Sequence, residues 1–225
     1  MKFCVVSFYD KRSVEKEIKK RFRLDKRKPD FVFTYGGDGT ILFSEQLYPG
    51  VPKIPIRKSW ICSKCVHYSA NYIGKILDRL EKKQYKIKEQ EKIEAIFNGR
   101  KLVALNDIQV HNANPAKALR FTLIMGSKKY NFIGDGVVAS TPYGSTAYYN
   151  ALGYKPFSKG IRIGLNNTHP RRGFFVLDTK TTAVKVTRET ALLIADNNEK
   201  MTEMKLGDKV LMRKSKSRAR FVEIK

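Results

Sequence analysis

Residues 30–40 read Asp30-Phe31-Val32-Phe33-Thr34-Tyr35-Gly36-Gly37-Asp38-Gly39-Thr40. An aromatic and β-branched run of strand length ends abruptly in a glycine-rich turn. Ile41, Leu42 and Leu47 follow and predict a helix. Strand, tight loop, helix is the building block of a parallel α/β sheet. The flanks repeat the alternation. Upstream, residues 2–8 form a short apolar run. Val14, Ile18 and Phe22 then stand four apart among basic residues of 11–23, one apolar stripe of an amphipathic helix. Downstream, Lys53-Ile54-Pro55-Ile56 reads as a third strand. Tyr72, Ile73, Ile76, Leu77 and Leu80 predict a helix over 69–83.

Past residue 84 the texture changes to short strands with turn punctuation. Residues 85–97 and 101–112 flank Asn98-Gly99. Asn-Gly between apolar runs selects a two-residue hairpin turn. Further strands are predicted near 119–125, 136–140, 161–165, 173–177, 183–187, 191–195, 209–213 and 219–224, with one short helix over 145–152. The expected organisation is an α/β domain with a parallel sheet over 1–84, then a β-rich, sandwich-like domain over 85–225.

The chain has 225 residues and is 42% hydrophobic, enough to bury a core, which excludes a disordered tail. No run reaches the ~18–20 apolar residues of a membrane helix. The apolar run at Met1–Phe8 is too short for a signal-peptide core. Three cysteines exclude a disulfide scaffold and point to a reducing compartment. A soluble, cytoplasmic protein without a membrane partner is expected. Lys and Arg number 45 against 21 Asp and Glu, a formal net charge of +24. Such a surface attracts polyanions, whether phosphorylated cofactors or nucleic acid, and general adaptation of a Lys-rich surface is the alternative.

Three constellations carry chemistry. In Gly36-Gly37-Asp38-Gly39-Thr40, glycines let the backbone approach an anion, and N–H groups at a helix start point at phosphate oxygens. A carboxylate beside phosphates is repelled unless it binds a metal or accepts a proton from an attacking hydroxyl, and Asp38 is placed for either. A helix-capping turn is the plainer alternative. The loop lacks the Gly-Lys-Ser/Thr of a Walker P-loop. The second runs from Gly134-Asp135-Gly136 through Ser140-Thr141-Pro142-Tyr143-Gly144-Ser145-Thr146-Ala147-Tyr148. Its hydroxyls and amides suit a ribose or phosphate, and Ser145 or Thr146 is placed to cap the next helix. Tyr148 offers a flat face to a base. The third is Asn106-Asp107, suited to a base edge or paired hydroxyls, or else an Asx turn.

Together these motifs resemble the NAD kinase family in order and spacing, over roughly residues 30–225. The resemblance implies an NAD kinase-like fold, with an α/β domain followed by a β-rich one. It implies transfer of the γ-phosphoryl of ATP, or polyphosphate in some members, to the 2′-hydroxyl of NAD's adenosine ribose, giving NADP. By position, Asp38 becomes the catalytic base and also a substrate contact with Gly39. Gly36, Gly37, Gly39 and Thr40 lie on phosphates. Asn106 and Asp107 hold the substrate's ribose and nicotinamide part. Asp135 matches an acid that approaches substrate near the subunit contact of family oligomers. Thr146, Ala147, Tyr148, Tyr149, Asn150 and Ala151 match the substrate-binding helix start, and Lys117 a variable substrate contact. Mg²⁺ arrives on the nucleotide, with no dedicated metal site on the protein. The partners implied are NAD, ATP or polyphosphate, and further copies of the chain in a dimer or tetramer. Nucleic acid is less favoured.

The chain departs from the family pattern in places. Ile56-Arg57-Lys58-Ser59-Trp60-Ile61-Cys62-Ser63-Lys64-Cys65 replaces an Asn-Gly-rich segment. Arg57 and Lys58 follow the third strand, beside the strand that ends at Asp38, and are assigned to the donor's phosphates. Cys62 and Cys65 form a Cys-x-x-Cys with His67 two residues on, but a tetrahedral zinc needs four ligands, so plain structural cysteines are expected. Gly153-Tyr154 replaces Gly-Gly, and Asp196 is followed by Asn197-Asn198. The stretch 209–225 holds seven basic residues and one acid, a solvated strand face or a nucleic-acid contact. A short, divergent, archaeal-type member is expected. The alternatives are a related kinase of the same loop type acting on a lipid or another nucleotide, and a non-catalytic nucleotide- or RNA-binding protein.

Overall fold

The computed structural model describes residues 1–58, 72–177 and 182–224. Cys62, Lys64, Cys65 and His67 therefore lie outside the described residues, as does the start of the helix expected from 69. Two compact units emerge. The first comprises Met1–Gln90 and Arg218–Lys225, the second Glu91–Ser217. The division falls six residues past the boundary expected at 84. The last eight residues return to the first unit.

In the first unit the apolar runs become β1 (Lys2–Val6), β2 (Arg23–Leu24), β3 (Phe31–Gly36) and β4 (Lys53–Arg57). They pair in parallel in the order β2-β1-β3-β4, and the final strand adds to β4 in parallel through Phe221 and Lys53. The helices are α1 (Arg12–Lys19), α2 (Asp38–Leu47) and α3 (Ile73–Glu81). Val14 and Ile18 of α1 and Ile73, Ile76, Leu77 and Leu80 of α3 are buried with Phe3, Phe33, Ile54 and Ile56 in one core. That is the expected stripe-on-sheet packing.

The chain enters the second unit within β5 (Tyr85–Phe97), which turns through Asn98 and Gly99 into β6 (Arg100–Ala104). Both turn residues have positive φ, 48° and 71°, as the expected hairpin requires. The strand expected over 101–112 breaks at Leu105-Asn106. There the chain leaves β5 and joins a second sheet as β7 (Asp107–Asn112). The remaining strands are β8 (Leu119–Met125), β9 (Lys128–Gly134), β10 (Gly136–Ser140), β11 (Arg162–Asn166), β12 (Phe175–Val176), β13 (Thr182–Arg188), β14 (Ala191–Ala195), β15 (Thr202–Met204) and β16 (Lys209–Ile224). A six-stranded antiparallel sheet runs β12-β11-β10-β7-β14-β15. An antiparallel set β16-β13-β8-β9 faces it across a shared core that includes Val110, Phe121, Ala139 and Val184. The β-rich sandwich expectation holds. The two strands expected at 209–213 and 219–224 are one continuous strand.

Candidate active site

In the first unit Gly36 ends β3, and α2 begins at Asp38 after the extended Gly37 (φ −120°, ψ −165°). Among Gly36, Gly37 and Gly39, none takes a left-handed φ. The need for glycine at 36 is steric: a Cβ there would lie 2.2 Å from Thr40 Oγ1. The buried Thr40 thus folds back over the strand end, and its N–H donates to the Gly37 carbonyl at 3.0 Å. Asp38 sits half-buried in the first helical turn, and Gly39 is exposed. The parallel register places Arg57 opposite Gly36, and the Lys58 N–H donates to the Gly36 carbonyl at 3.1 Å. The exposed Arg57 and Lys58 therefore stand beside the glycine loop, at the carboxyl ends of adjacent strands.

The second unit joins two motifs 35 residues apart in sequence. Leu105 and Asn106 cross between sheets, so their peptides leave the ladder. Thr141, just past β10, takes one side of them: its N–H donates to the Asn106 carbonyl at 2.9 Å and its hydroxyl to the Leu105 carbonyl at 2.6 Å. Gly144 closes on the same segment; a Cβ there would lie 2.3 Å from the Asn106 carbonyl oxygen. Asp196 takes the other side. Its carboxylate accepts the N–H of Leu105 at 2.8 Å, of Asn106 at 2.7 Å and of Asp107 at 3.3 Å. Asn106 Oδ1 is buried with no hydrogen-bond donor among the described residues.

Burial dominates the acid chemistry of this corner. Asp107 is pushed up to about 7 by desolvation, against the Gln109 amide at 2.8 Å, with the charge of Asp196 adding to the rise. Asp196 rises to about 6 for the same reason, opposed by its three backbone donors and the charge of Lys92.

The helix start behaves differently from expectation. Gly144–Thr146 forms a single 3₁₀ turn before α4 (Tyr148–Ala151), and Ala147 is the N-cap, without a side-chain bond. Neither Ser145 nor Thr146 caps the helix. The buried Ser145 hydroxyl donates instead to the Pro142 carbonyl at 2.8 Å and accepts the Phe157 N–H at 3.3 Å. Thr146, Ala147, Asn150 and Ala151 are exposed. Tyr149 is fully buried against Tyr154 and Phe157, so its ring belongs to the packing rather than to a binding surface. The Tyr148 hydroxyl accepts the Asn166 amide at 3.1 Å, and the Asn166 carbonyl accepts the Asp135 N–H at 3.0 Å. Asp135 is also held by the amides of Asn112 (3.4 Å) and Asn167 (3.2 Å). Lys117 lies beyond the end of β7, its ammonium 3.6 Å from Glu189, beside a hollow of about 210 Å³. A larger hollow of about 670 Å³, bounded by Leu152, Tyr154, Arg171 and Arg172, includes none of the expected site residues. The organising roles of Asp196 and Gly144 escaped the sequence; the signal for Asp196 was an acid directly ending the apolar run 191–195.

The first unit is a parallel α/β unit whose glycine-rich loop opens a helix, and the second is a β-sandwich with a pinned polar corner. Residues 105–224 match the family model of the ATP-NAD kinase C-terminal domain. The chain belongs to the NAD kinase family. It is 27% identical over 210 residues to the bifunctional NADP phosphatase/NAD kinase of Methanococcus maripaludis, with 85% of this chain and 36% of that protein covered. It is 27% identical over 205 residues to the NAD kinase of Thermoplasma acidophilum, covering 87% of this chain and 74% of that one. The crystal structure of an NAD kinase from Archaeoglobus fulgidus in complex with ATP superposes with a TM-score of 0.82 at 21% identity. That likeness covers 100% of this chain and 94% of that one.

Proposed function

We propose that this chain is an ATP-dependent NAD kinase. It moves the γ-phosphoryl group of ATP to the 2′-hydroxyl of the adenosine ribose of NAD, yielding ADP and NADP. Membership of the family supports the reaction. The observation that carries the substrate side is the fused corner of Asn106, Asp107, Thr141 and Gly144, with a buried amide oxygen at Asn106 awaiting a donor. A nucleotide's exocyclic amine or ribose hydroxyl supplies such a donor.

Asp38 accepts the proton of the attacking 2′-hydroxyl as the new P–O bond forms and the bond to the β,γ-bridging oxygen breaks. Backbone N–H groups at the start of α2, with Arg57 and Lys58, hold the donor's phosphates. Among the described residues no three His, Cys, Asp or Glu side chains gather into a metal site. That fits a magnesium ion that would be carried in on the nucleotide's phosphates, leaving the Asp38 carboxylate to act as the base. When bound, the ion neutralises phosphate charge.

The active form is a homo-oligomer in this reading. Asp107 and Asn112 stand at opposite ends of β7, about 17 Å apart at ~3.4 Å per residue. Asp135 bonds to Asn112, at the end away from Asn106. That separation supports Asp135 serving substrate held by a neighbouring copy. Light scattering of the purified chain tests this, and a strict monomer with full activity contradicts it. No described helix is long and apolar enough to cross a membrane. A cytoplasmic location is inferred.

The decisive experiment incubates the protein with NAD, Mg²⁺ and either ATP or polyphosphate, and assays NADP with an NADP-specific dehydrogenase. NADP formation with ATP is expected, and none with either donor refutes the reading.

A further inference from the structure

We propose that Asp196 is a positioning residue for the substrate, fixing the Asn106–Asp107 peptides without touching NAD itself. Where the chain switches sheets at Leu105-Asn106, the peptide groups lose their ladder partners, and buried ones need others. Thr141 satisfies both carbonyls. The Asp196 carboxylate satisfies the N–H groups of Leu105 and Asn106 and reaches that of Asp107. Asp196 returns a bond of its own, its N–H donating to the Asp107 carbonyl at 3.0 Å. The contact spans 90 residues, so no local turn accounts for it.

The backbone at 196 is shaped for this contact. Its φ is +52°, left-handed, a region that Asp and Asn tolerate better than other side-chain-bearing residues. The turn folds the side chain back from the end of β14 onto the start of β7. Three donors occupy the two carboxylate oxygens, so the Asp196 carboxylate is spent on these peptides, while the side chains of Asn106 and Asp107 stay buried beside it. An acceptor-only group is required here, because an asparagine at 196 would present N–H₂ toward backbone N–H.

The positioning role rests on Asn106 and Asp107 being substrate contacts, as in the proposed function, and the test separates the two claims. Asp196→Asn, Asp196→Ser and Asn106→Ala are compared with the full-length parent. The readouts are KM for NAD, KM for ATP, kcat, and amide exchange of the peptide covering 105–107. Asp196→Asn is expected to raise KM for NAD tenfold or more and leave KM for ATP within twofold. It should also speed exchange at 105–107 but not in the sandwich core. Asp196→Ser keeps one small acceptor and should fall between. If Asp196→Asn leaves KM for NAD within twofold while Asn106→Ala raises it, the positioning role is wrong and the substrate assignment stands. If Asn106→Ala also changes nothing, the substrate assignment fails and takes the positioning role with it. If neither Asp196 variant folds, or both lose kcat and both KM values together, Asp196 serves only the fold and the proposal is overturned.

Discussion

Gly144 and Asn106 touch backbone to backbone: a Cβ at 144 would sit 2.3 Å from the Asn106 carbonyl oxygen and 2.5 Å from its Cα. This glycine has no left-handed φ to explain it. Its role is close approach, and it couples the hydroxyl-rich loop to the Asn-Asp pair. Any side chain at 144 must push the Asn106 peptide away from Thr141 or from Asp196.

Gly144→Ala therefore strikes the substrate side first. Forcing a methyl into packed backbone costs about 1–3 kcal/mol. The expected outcome is a lower melting temperature together with a KM for NAD raised about tenfold, and a KM for ATP near the parent value. Calorimetry and steady-state kinetics check this. An unchanged KM for NAD would separate Gly144 from substrate binding.

Asp38→Asn removes basicity while keeping the shape of the first turn of α2. Loss of a general base typically costs ~10²–10⁴-fold in turnover. Retained NAD affinity with kcat reduced in that range is expected from titration calorimetry and initial rates. Turnover within a few-fold of the parent would show that Asp38 is not the base.

The parallel unit was legible because its buried strands are short apolar runs separated by helices with one clear stripe, as in Val14 and Ile18 of α1. The same apolar criterion fails elsewhere for physical reasons. β9 escaped because Lys128, Lys129 and Asn131 face solvent, leaving Phe132 as its fully buried hydrophobic residue. β16 read as two strands because its middle carries Lys214, Ser215, Lys216 and Ser217. There Ser215 is buried by bonding Glu94 at 3.0 Å rather than by apolarity. The site divided along the same line. Motifs built from contiguous residues stood out, whereas Asp196 acts through a contact that only the sheet crossing creates. Tyr149 carries the same residue type as Tyr148, and only packing against Tyr154 and Phe157 tells them apart.

The pH dependence of stability follows from the buried acids. Asp107 titrates near 7 in the fold against an ordinary value of 3.8, and Asp196 near 6. A raised carboxyl pKa means that the folded state binds more protons between about pH 4 and 7, so stability declines as pH rises through that window. The penalty is absent below about pH 4 and complete above 7. Asp107→Asn removes one titration, so its melting temperature should gain on the parent as pH rises from 4 to 7. A constant difference across that range would show that Asp107 is not perturbed by burial.

Lys53 and Glu45 form an ion pair with both side chains essentially excluded from water, tying the end of α2 to the start of β4. Breaking such a pair from one side strands a buried charge, at about 3–5 kcal/mol. Glu45→Gln should lower urea-unfolding stability by that order. A loss below about 1 kcal/mol would mean that water or another carboxylate reaches Lys53.

Arg57 and Lys58 provide the test of the donor side. In the parallel ladder Arg57 is the register partner of Gly36, and the Lys58 N–H bonds to the Gly36 carbonyl. Both side chains are exposed at the strand ends, next to the loop that opens α2. Ligands of parallel sheets bind at these carboxyl ends, and a triphosphate carries more charge than one magnesium ion neutralises. Charge-assisted contacts are worth ~1.5–3 kcal/mol each, so losing two should raise KM at least tenfold. The variant carrying Arg57→Ala and Lys58→Ala is expected to show that rise for ATP, with KM for NAD within twofold. If the two residues instead belong to a general basic surface, KM for ATP stays put and a salt-dependent affinity for RNA falls in filter binding. If they only solvate the strand end, neither quantity moves. The donor assignment therefore stands or falls on which of two substrates feels the loss of two adjacent charges.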